Sequence, residues 1–251
     1  MARFGWRPFF FILGLGALPW LPCWIKWMPR GRGRKEKAPA AGPTVGEILG
    51  KRAAWATFAG LFCGNYYWYF LLTWLPYYLV RERHFSMGSM AVAGSVPLIC
   101  CAAATTVAGW LSYRALESGA TPTRVRKTCT VAGLGCSAVI VAVPVIADAK
   151  AAVVVLMIAC ASYGVYSSSP WAITQTLAGP LAAGRWSGLK NFVGNLSGMV
   201  APALTGVVVD RTGQFFWAFA LTAFIALSGA AVYLFGLGKV EPATWRYQAA
   251  R

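Results

Sequence analysis

PRGRGRKEKAPAAGP, Pro29–Pro43, is the stretch whose reading decides how the rest of the chain is divided. Five Lys or Arg residues crowd its first half, and Ala and Pro fill the second. Such a composition has almost nothing to bury and reads as a flexible linker. Before it lies one long apolar run, Pro8–Met28. After it come six more: Ala53–Val80, Gly88–Tyr113, Lys127–Ala147, Ala151–Leu177, Gly188–Val209 and Phe215–Leu237. Each approximates the ~20 residues that cross a bilayer as a helix. Short windows such as Ala151–Ile158 are rich enough in Val and Ile to be strands. They sit inside runs far longer than a strand, so helix is the better reading. The expected organisation is an all-α polytopic membrane protein: residues 1–28 a single transmembrane helix, 29–52 a basic linker, 53–238 a six-helix bundle and 239–251 a tail.

Composition supports a membrane class over a soluble one. The chain has 251 residues, 58% of them apolar and 12% charged. Counting Gly in place of Tyr raises the apolar share to roughly 65%, against ~45–50% in soluble domains. Yet the formal net charge is +16. A nucleic-acid binder would gather such charge on one face of a soluble domain, whereas a membrane protein places it in alternate loops. Seven Lys/Arg lie in 29–52, four in 114–127, two at Arg185 and Lys190, and three in 239–251. The alternate set is Arg3, Arg7, Arg81, Arg83, Lys150 and Arg211. This sixteen-to-six asymmetry predicts a cytoplasmic C-terminus and an N-terminus outside. Topology then accounts for the basic excess, with anionic-lipid binding as the alternative for the linker cluster and no need for nucleic acid. No cleavable signal peptide is read at the N-terminus.

Several chemistries are excluded. The seven acids, Glu36, Glu47, Glu82, Glu117, Asp148, Asp210 and Glu241, all fall in expected loops or at helix ends. The one histidine, His84, lies in a short loop. Intramembrane hydrolysis would need paired acids or His ligands inside the spans. The seven cysteines show no CxxC spacing and read as small packing residues. We expect no enzyme, no metal and no cofactor.

Uncharged polar groups remain at membrane depth. Asn65 and Tyr69 stand four apart on one helical face, among Tyr66, Tyr67, Trp68, Trp74 and Tyr78. Tyr163, Ser167, Trp171 and Thr174 follow helical spacing, with Pro170 disrupting the backbone ladder. Asn191 and Asn195 are again four apart. The plain account is hydrogen-bonded glue between helices, and Trp74 and Tyr78 suit an interfacial belt. Two amides on one face are costly in lipid, however, which favours an interior or a wet cavity.

These residues carry a family likeness. NYYWYFLLTWLPYYLVRERHFSM (Asn65–Met87), SSSPWAITQTLAGPLAAGRWSGLKNFVGNLSG (Ser167–Gly198) and APALTGVVVDRTGQFFWAFALTA (Ala201–Ala223) resemble the C-terminal half of an anion:cation symporter of the major facilitator superfamily, a group that includes sugar-acid permeases. GWRPFFFILGLGALPW (Gly5–Trp20) resembles the sixth of that family's twelve helices, so five preceding helices have no counterpart here. GWLSYRALESGATPTRVRK (Gly109–Lys127) resembles the second copy of its cytoplasmic signature, with Tyr113 where the signature has Asp. The resemblance implies proton-coupled symport of a small organic anion such as a sugar acid across the cell (inner) membrane. It implies substrate contacts from Asn65, Tyr69, Ser169, Trp171, Asn191 and Asn195, and gating by Gly109, Tyr113, Arg114 and Asp210. Because the family carries its coupling acids and substrate Arg mostly in the N-terminal half, the opposing wall is expected from that half or from a second copy. The rival expectation is a non-transporting remnant or scaffold. A seven-helix receptor fits only the helix count.

Overall fold

A computed structural model of the protein describes residues 7–28 and 42–245. The linker expected over 29–52 therefore lies outside the described residues as far as position 41, and the tail does so beyond 245. The chain divides into two compact units, residues 1–40 and 41–251. All regular structure in the described residues is helical.

In the first unit, α1 (Arg7–Gly16) and α2 (Trp20–Trp27) follow one another across a tight turn. Leu18 N–H donates to Leu15 O at 3.0 Å there, and Pro19, which has no N–H, stands just ahead of α2. Together they form a 21-residue apolar run, long enough to cross a membrane.

The second unit begins with α3 (Val45–Leu49), started by a reciprocal cap. Glu47 N–H donates to Thr44 Oγ1, and Thr44 N–H to the Glu47 carboxylate, both at 3.2 Å. Then come α4 (Arg52–Thr73), α5 (Leu75–Arg81), α6 (Met87–Glu117) and α7 (Pro122–Ser137), the last extended by a 3₁₀ stretch, Ala138–Ala142. The rest is α8 (Ala149–Ser167), α9 (Pro170–Asn195), α10 (Ser197–Thr212) and α11 (Phe215–Ala231), which runs into a π turn, Val232–Gly236. Ser86, Thr121 and Asp148 cap α6, α7 and α8 through backbone N–H groups three residues on. Gly213, at φ 66°, closes α10 in the left-handed conformation that glycine tolerates.

Among the described residues, five helical runs are long and apolar enough to cross a membrane: Arg7–Trp27, Met87–Glu117, Pro122–Ala142, Ala149–Thr212 and Phe215–Gly236. Only 17% of the most apolar window of α6 is buried, and 44% of that of Phe215–Gly236, so most of this apolar surface is left for lipid. α4 stands outside the five because its tyrosines, tryptophans and Asn65 lower its hydropathy. It has no need of lipid contact: it packs against α9, α10 and α11 with eleven buried residues.

The 64-residue run from Ala149 to Thr212 is broken at three points. Ser168 and Ser169 separate α8 from α9, and Leu196 separates α9 from α10. The third break is inside α9, where Gly179 adopts φ 64° and ψ 177°, immediately before Pro180. The chain reverses there, because Lys190 Nζ meets the carbonyl oxygen of Pro170, twenty residues upstream, at 2.8 Å. A straight helix would hold those residues about 30 Å apart. The expected run Ala151–Leu177 thus ends beside a real reversal. The next run starts at Pro180, well before the expected Gly188.

α6 packs mainly on α8 and α7 on α8, through glycines that admit close approach. A Cβ on Gly164 would fall inside contact distance of the Cys101 carbonyl oxygen, and one on Gly133 inside that of the Tyr166 backbone. Behind them runs an aromatic core. Tyr67 stacks on Tyr163 with centroids 5.0 Å apart, Tyr163 meets Tyr166, and Tyr166 meets Tyr233. Two hydroxyls in this core find backbone oxygens, Tyr67 donating to Ser137 O at 3.2 Å and Tyr166 to Gly60 O at 3.3 Å, while the buried Tyr233 hydroxyl has no such partner among the described residues. Tyr78, read from sequence as an interfacial residue, is buried here, donating to Val143 O at 3.4 Å.

Candidate functional site

The polar face of the second unit is built where α4 meets the second arm of α9. Helical spacing brings Asn65 and Tyr69 to one side of α4, and Asn191 and Asn195 to one side of α9. The Tyr69 hydroxyl donates to Asn195 Oδ1 at 2.8 Å. Asn195 Nδ2 donates in turn to Asn191 Oδ1 at 2.9 Å and to Asn191 O at 2.8 Å. Asn65 sits against Gly194, where an added Cβ would lie 3.3 Å from its amide nitrogen. Gly198, a turn further on, leaves room for the Tyr69 ring. Asn65 and Tyr69 are half-buried, while Asn191 and Asn195 are exposed. Four of the six residues expected to meet substrate thus share one open, hydrogen-bonded face.

Beyond Tyr69 the same face widens. Thr73 and Tyr77 continue its spacing on α4 and α5, and Trp74 Nε1 donates to Pro202 O at 3.2 Å. They open a cleft of about 520 Å³ whose far rim holds Arg81, Glu82 and Asp210.

The other two expected substrate residues flank the α8–α9 break. Ser169 is buried, its hydroxyl 3.2 Å from that of Ser168. Trp171 is 44% exposed, and its ring lies over Lys190, with Nζ 4.5 Å from the centroid. Lys190 was not among the expected site residues. Its charge reads in sequence as a loop marker, but the structure buries it completely in the second arm of α9, next to Asn191. A strict helical register through Asn191 and Asn195 would have placed Lys190 inside the span.

The residues expected to gate transport are not brought together. Tyr113 and Arg114 are exposed near the end of α6, the Arg114 guanidinium 4.8 Å above the Trp110 ring. Gly109 lies one turn earlier with open space around it. Asp210, near the end of α10, lines the cleft beside Arg81 and Glu82, which precede the start of α6. At 1.5 Å per residue, Tyr113 is about 40 Å along α6 from that end.

Basic residues at both ends of the bundle act as clamps on exposed helix termini. Arg83 donates to Tyr78 Oη at 2.7 Å, and to Val143 O and Ile146 O at 2.6 Å each. At the opposite end, Arg52 reaches Phe235 O at 2.9 Å, Lys127 reaches Leu237 O at 2.8 Å, and Arg185 reaches Pro43 O at 2.7 Å. The Val143, Phe235 and Leu237 carbonyls stand at the C-terminal ends of helical turns, where no intrahelical partner follows, and Pro43 lies in the segment just ahead of α3. Among the described residues no cluster of His, Cys, Asp or Glu could hold a metal ion.

Comparison with known proteins agrees with this architecture. Residues 1–202 match the profile of the Major Facilitator Superfamily. Among curated proteins, the hexuronate transporter of Bacillus subtilis (strain 168) is 30% identical over 237 residues, covering 89% of this chain and 56% of the relative. A protein of the same organism named "Probable galactarate/D-glucarate transporter" is 24% identical, covering 95% of this chain and 58% of its own length. Its namesake in Pseudomonas putida is 31% identical, with 78% and 43% covered. The chain spans about half the length of the curated relatives it matches. A crystal structure of a peptide transporter bound to alafosfalin superimposes with a TM-score of 0.59 at 19% identity, over 78% of this chain and 43% of that one. That likeness concerns the fold.

Proposed function

Because this chain belongs to the major facilitator superfamily, we propose that it forms one wall of a secondary active transporter that carries an organic anion of the sugar-acid class together with protons. The observation that carries this reading is the face shared by Tyr69, Asn191 and Asn195, linked at 2.8 to 2.9 Å and open to solvent. Its amides and phenol donate and accept, which suits the hydroxyls of a polyhydroxy acid better than an apolar ligand.

Sugar acids are the substrates named for the relatives, and the same class is the proposal here. Transporters of this type rock two halves about a midplane site. The opposing wall then comes from an N-terminal six-helix half or a second copy of this chain. The cleft toward Arg81 and Asp210 serves as the approach to the site. The basic asymmetry supports a mouth facing outside and a C-terminus in the cytoplasm, and the reading takes the protein to the inner membrane. At the inner end, Gly109, Tyr113 and Arg114 contribute to gating.

The test is uptake of labelled D-glucarate and D-glucuronate into proteoliposomes holding the protein, with and without an inward proton gradient. Saturable, gradient-stimulated uptake is expected, and Asn191→Ala with Asn195→Ala should weaken it at least tenfold. Uptake that ignores both substitutions would refute the site assignment. Absence of any sugar-acid flux would favour a non-transporting scaffold.

A further inference from the structure

Lys190 is the one charged side chain enclosed among the described residues, and its surroundings contain no charge to match it. It is 0% exposed. Its ammonium donates to Pro170 O at 2.8 Å and faces the Trp171 ring at 4.5 Å. Among the described residues no carboxylate pairs with it. A carbonyl dipole and a ring face satisfy a cation only in part, because a buried ammonium has three donors and strongly prefers an anion. A methionine would fill the same space without that penalty. The charge is therefore retained against the interest of packing.

Its location suggests what the charge is for. Lys190 and Pro170 lie eleven and nine residues either side of Gly179, about 15 Å from the reversal, which is half the ~30 Å hydrocarbon thickness. Lys190 directly precedes Asn191 on the polar face. Its cover, Trp171, is 44% exposed, so one ring separates the ammonium from the protein surface.

We propose that Lys190 is the anion-recognising residue of this wall, held on the Pro170 carbonyl until a substrate carboxylate displaces Trp171 and takes its place. The inference rests on the transporter reading and sharpens it. Lys190 supplies the charge selectivity, while Tyr69, Asn191 and Asn195 meet the hydroxyls. Because Pro170 opens α9 and is followed by the covering tryptophan, the same short segment holds the ammonium and shields it.

The experiment compares the full chain with K190M and K190R in lipid nanodiscs, titrated calorimetrically with D-glucarate and with D-glucitol, its uncharged polyol counterpart. The wild type is expected to prefer D-glucarate. K190M should lose about 10- to 100-fold in D-glucarate affinity with D-glucitol binding unchanged. K190R should stay within severalfold of the wild type. Unliganded K190M should melt no lower than the wild type, since it removes an unpaired buried charge. Unchanged D-glucarate affinity in K190M overturns the proposal, as does a fall in its melting temperature accompanied by equal losses for both probes, which marks a structural lysine. A wild type that binds D-glucarate no better than D-glucitol refutes the sugar-acid reading itself and takes this inference with it.

Discussion

Gly164→Ala tests whether α6 and α8 pack as closely as their backbones indicate. The added methyl would meet the Cys101 carbonyl oxygen, which is backbone and cannot swing aside, and would lie 3.0 Å from Ala104 Cβ. α6 must retreat to admit it. The retreat also pulls on Thr105 Oγ1, which donates to Gly164 O at 3.1 Å and stands 2.7 Å from Ser167 Oγ. Overpacking of this kind costs about 1–3 kcal/mol. Gly135→Ala in α7 is the matched control, because nothing lies within 4 Å of its added methyl. There the substitution should gain about 0.5–1 kcal/mol from helix propensity alone. Gly164→Ala makes the same propensity gain, so the two variants should differ by the overpacking cost, about 1–3 kcal/mol. At about 2–4 °C per kcal/mol for a chain of this size, that is about 2–12 °C in melting temperature. Thermal unfolding in detergent, followed by the monodisperse fraction on size exclusion, measures it. Equal melting temperatures for the two variants would show that α6 and α8 do not touch through Gly164.

Three further perturbations address the breaks and clamps. Gly179→Ala should destabilise by about 1–3 kcal/mol although its methyl meets nothing, because φ 64° with ψ 177° is a region open almost only to glycine; an unchanged melting temperature would mean that the reversal lies elsewhere. Arg83→Ala should cost about 1–3 kcal/mol in thermal or denaturant unfolding by stranding the Ile146 carbonyl and leaving the Val143 carbonyl only its longer bond from Tyr78, and Arg83→Lys should recover only part of it, since an ammonium lacks the fork. Full recovery by lysine would reduce the role to charge. Trp186→Phe removes the indole donor that reaches Thr57 Oγ1 at 3.0 Å in a fully buried site, at a cost of about 1–3 kcal/mol. If Thr57→Val in the same background restores stability, that hydrogen bond is the source of the loss.

The helical class was legible because apolar runs of transmembrane length leave few alternatives. The shared face of Asn65, Tyr69, Asn191 and Asn195 was legible for a similar reason: spacing of four puts residues on one side of a helix before any neighbour is known. Lys190 was not. Charge ordinarily marks a loop, and the feature that makes its burial tolerable, the Pro170 carbonyl, is twenty residues away and reaches it only through the reversal at Gly179. Tyr78 failed similarly, since an aromatic near a helix end suits a lipid interface as well as a core. The close approach at Gly133 and Gly164 has no signature at all in a single sequence, where a packing glycine and a flexible one look alike. Asp210 and Tyr113 are grouped as gating residues by family likeness alone, although the charge asymmetry, with Arg114 in one set and Arg211 in the other, already separates them to opposite ends of the bundle.

The Lys190–Pro170 hydrogen bond also bears on how the chain is made. An unpaired lysine at the centre of a span adds on the order of 2.5–3.5 kcal/mol to the free energy of entering lipid from the translocon. Its acceptor belongs to the arm synthesised first, so by the time Lys190 emerges the Pro170 carbonyl and the Trp171 ring are already in place to receive it. The two arms around Gly179 are best inserted as a pair, the earlier one serving as the receptor for the charge of the later.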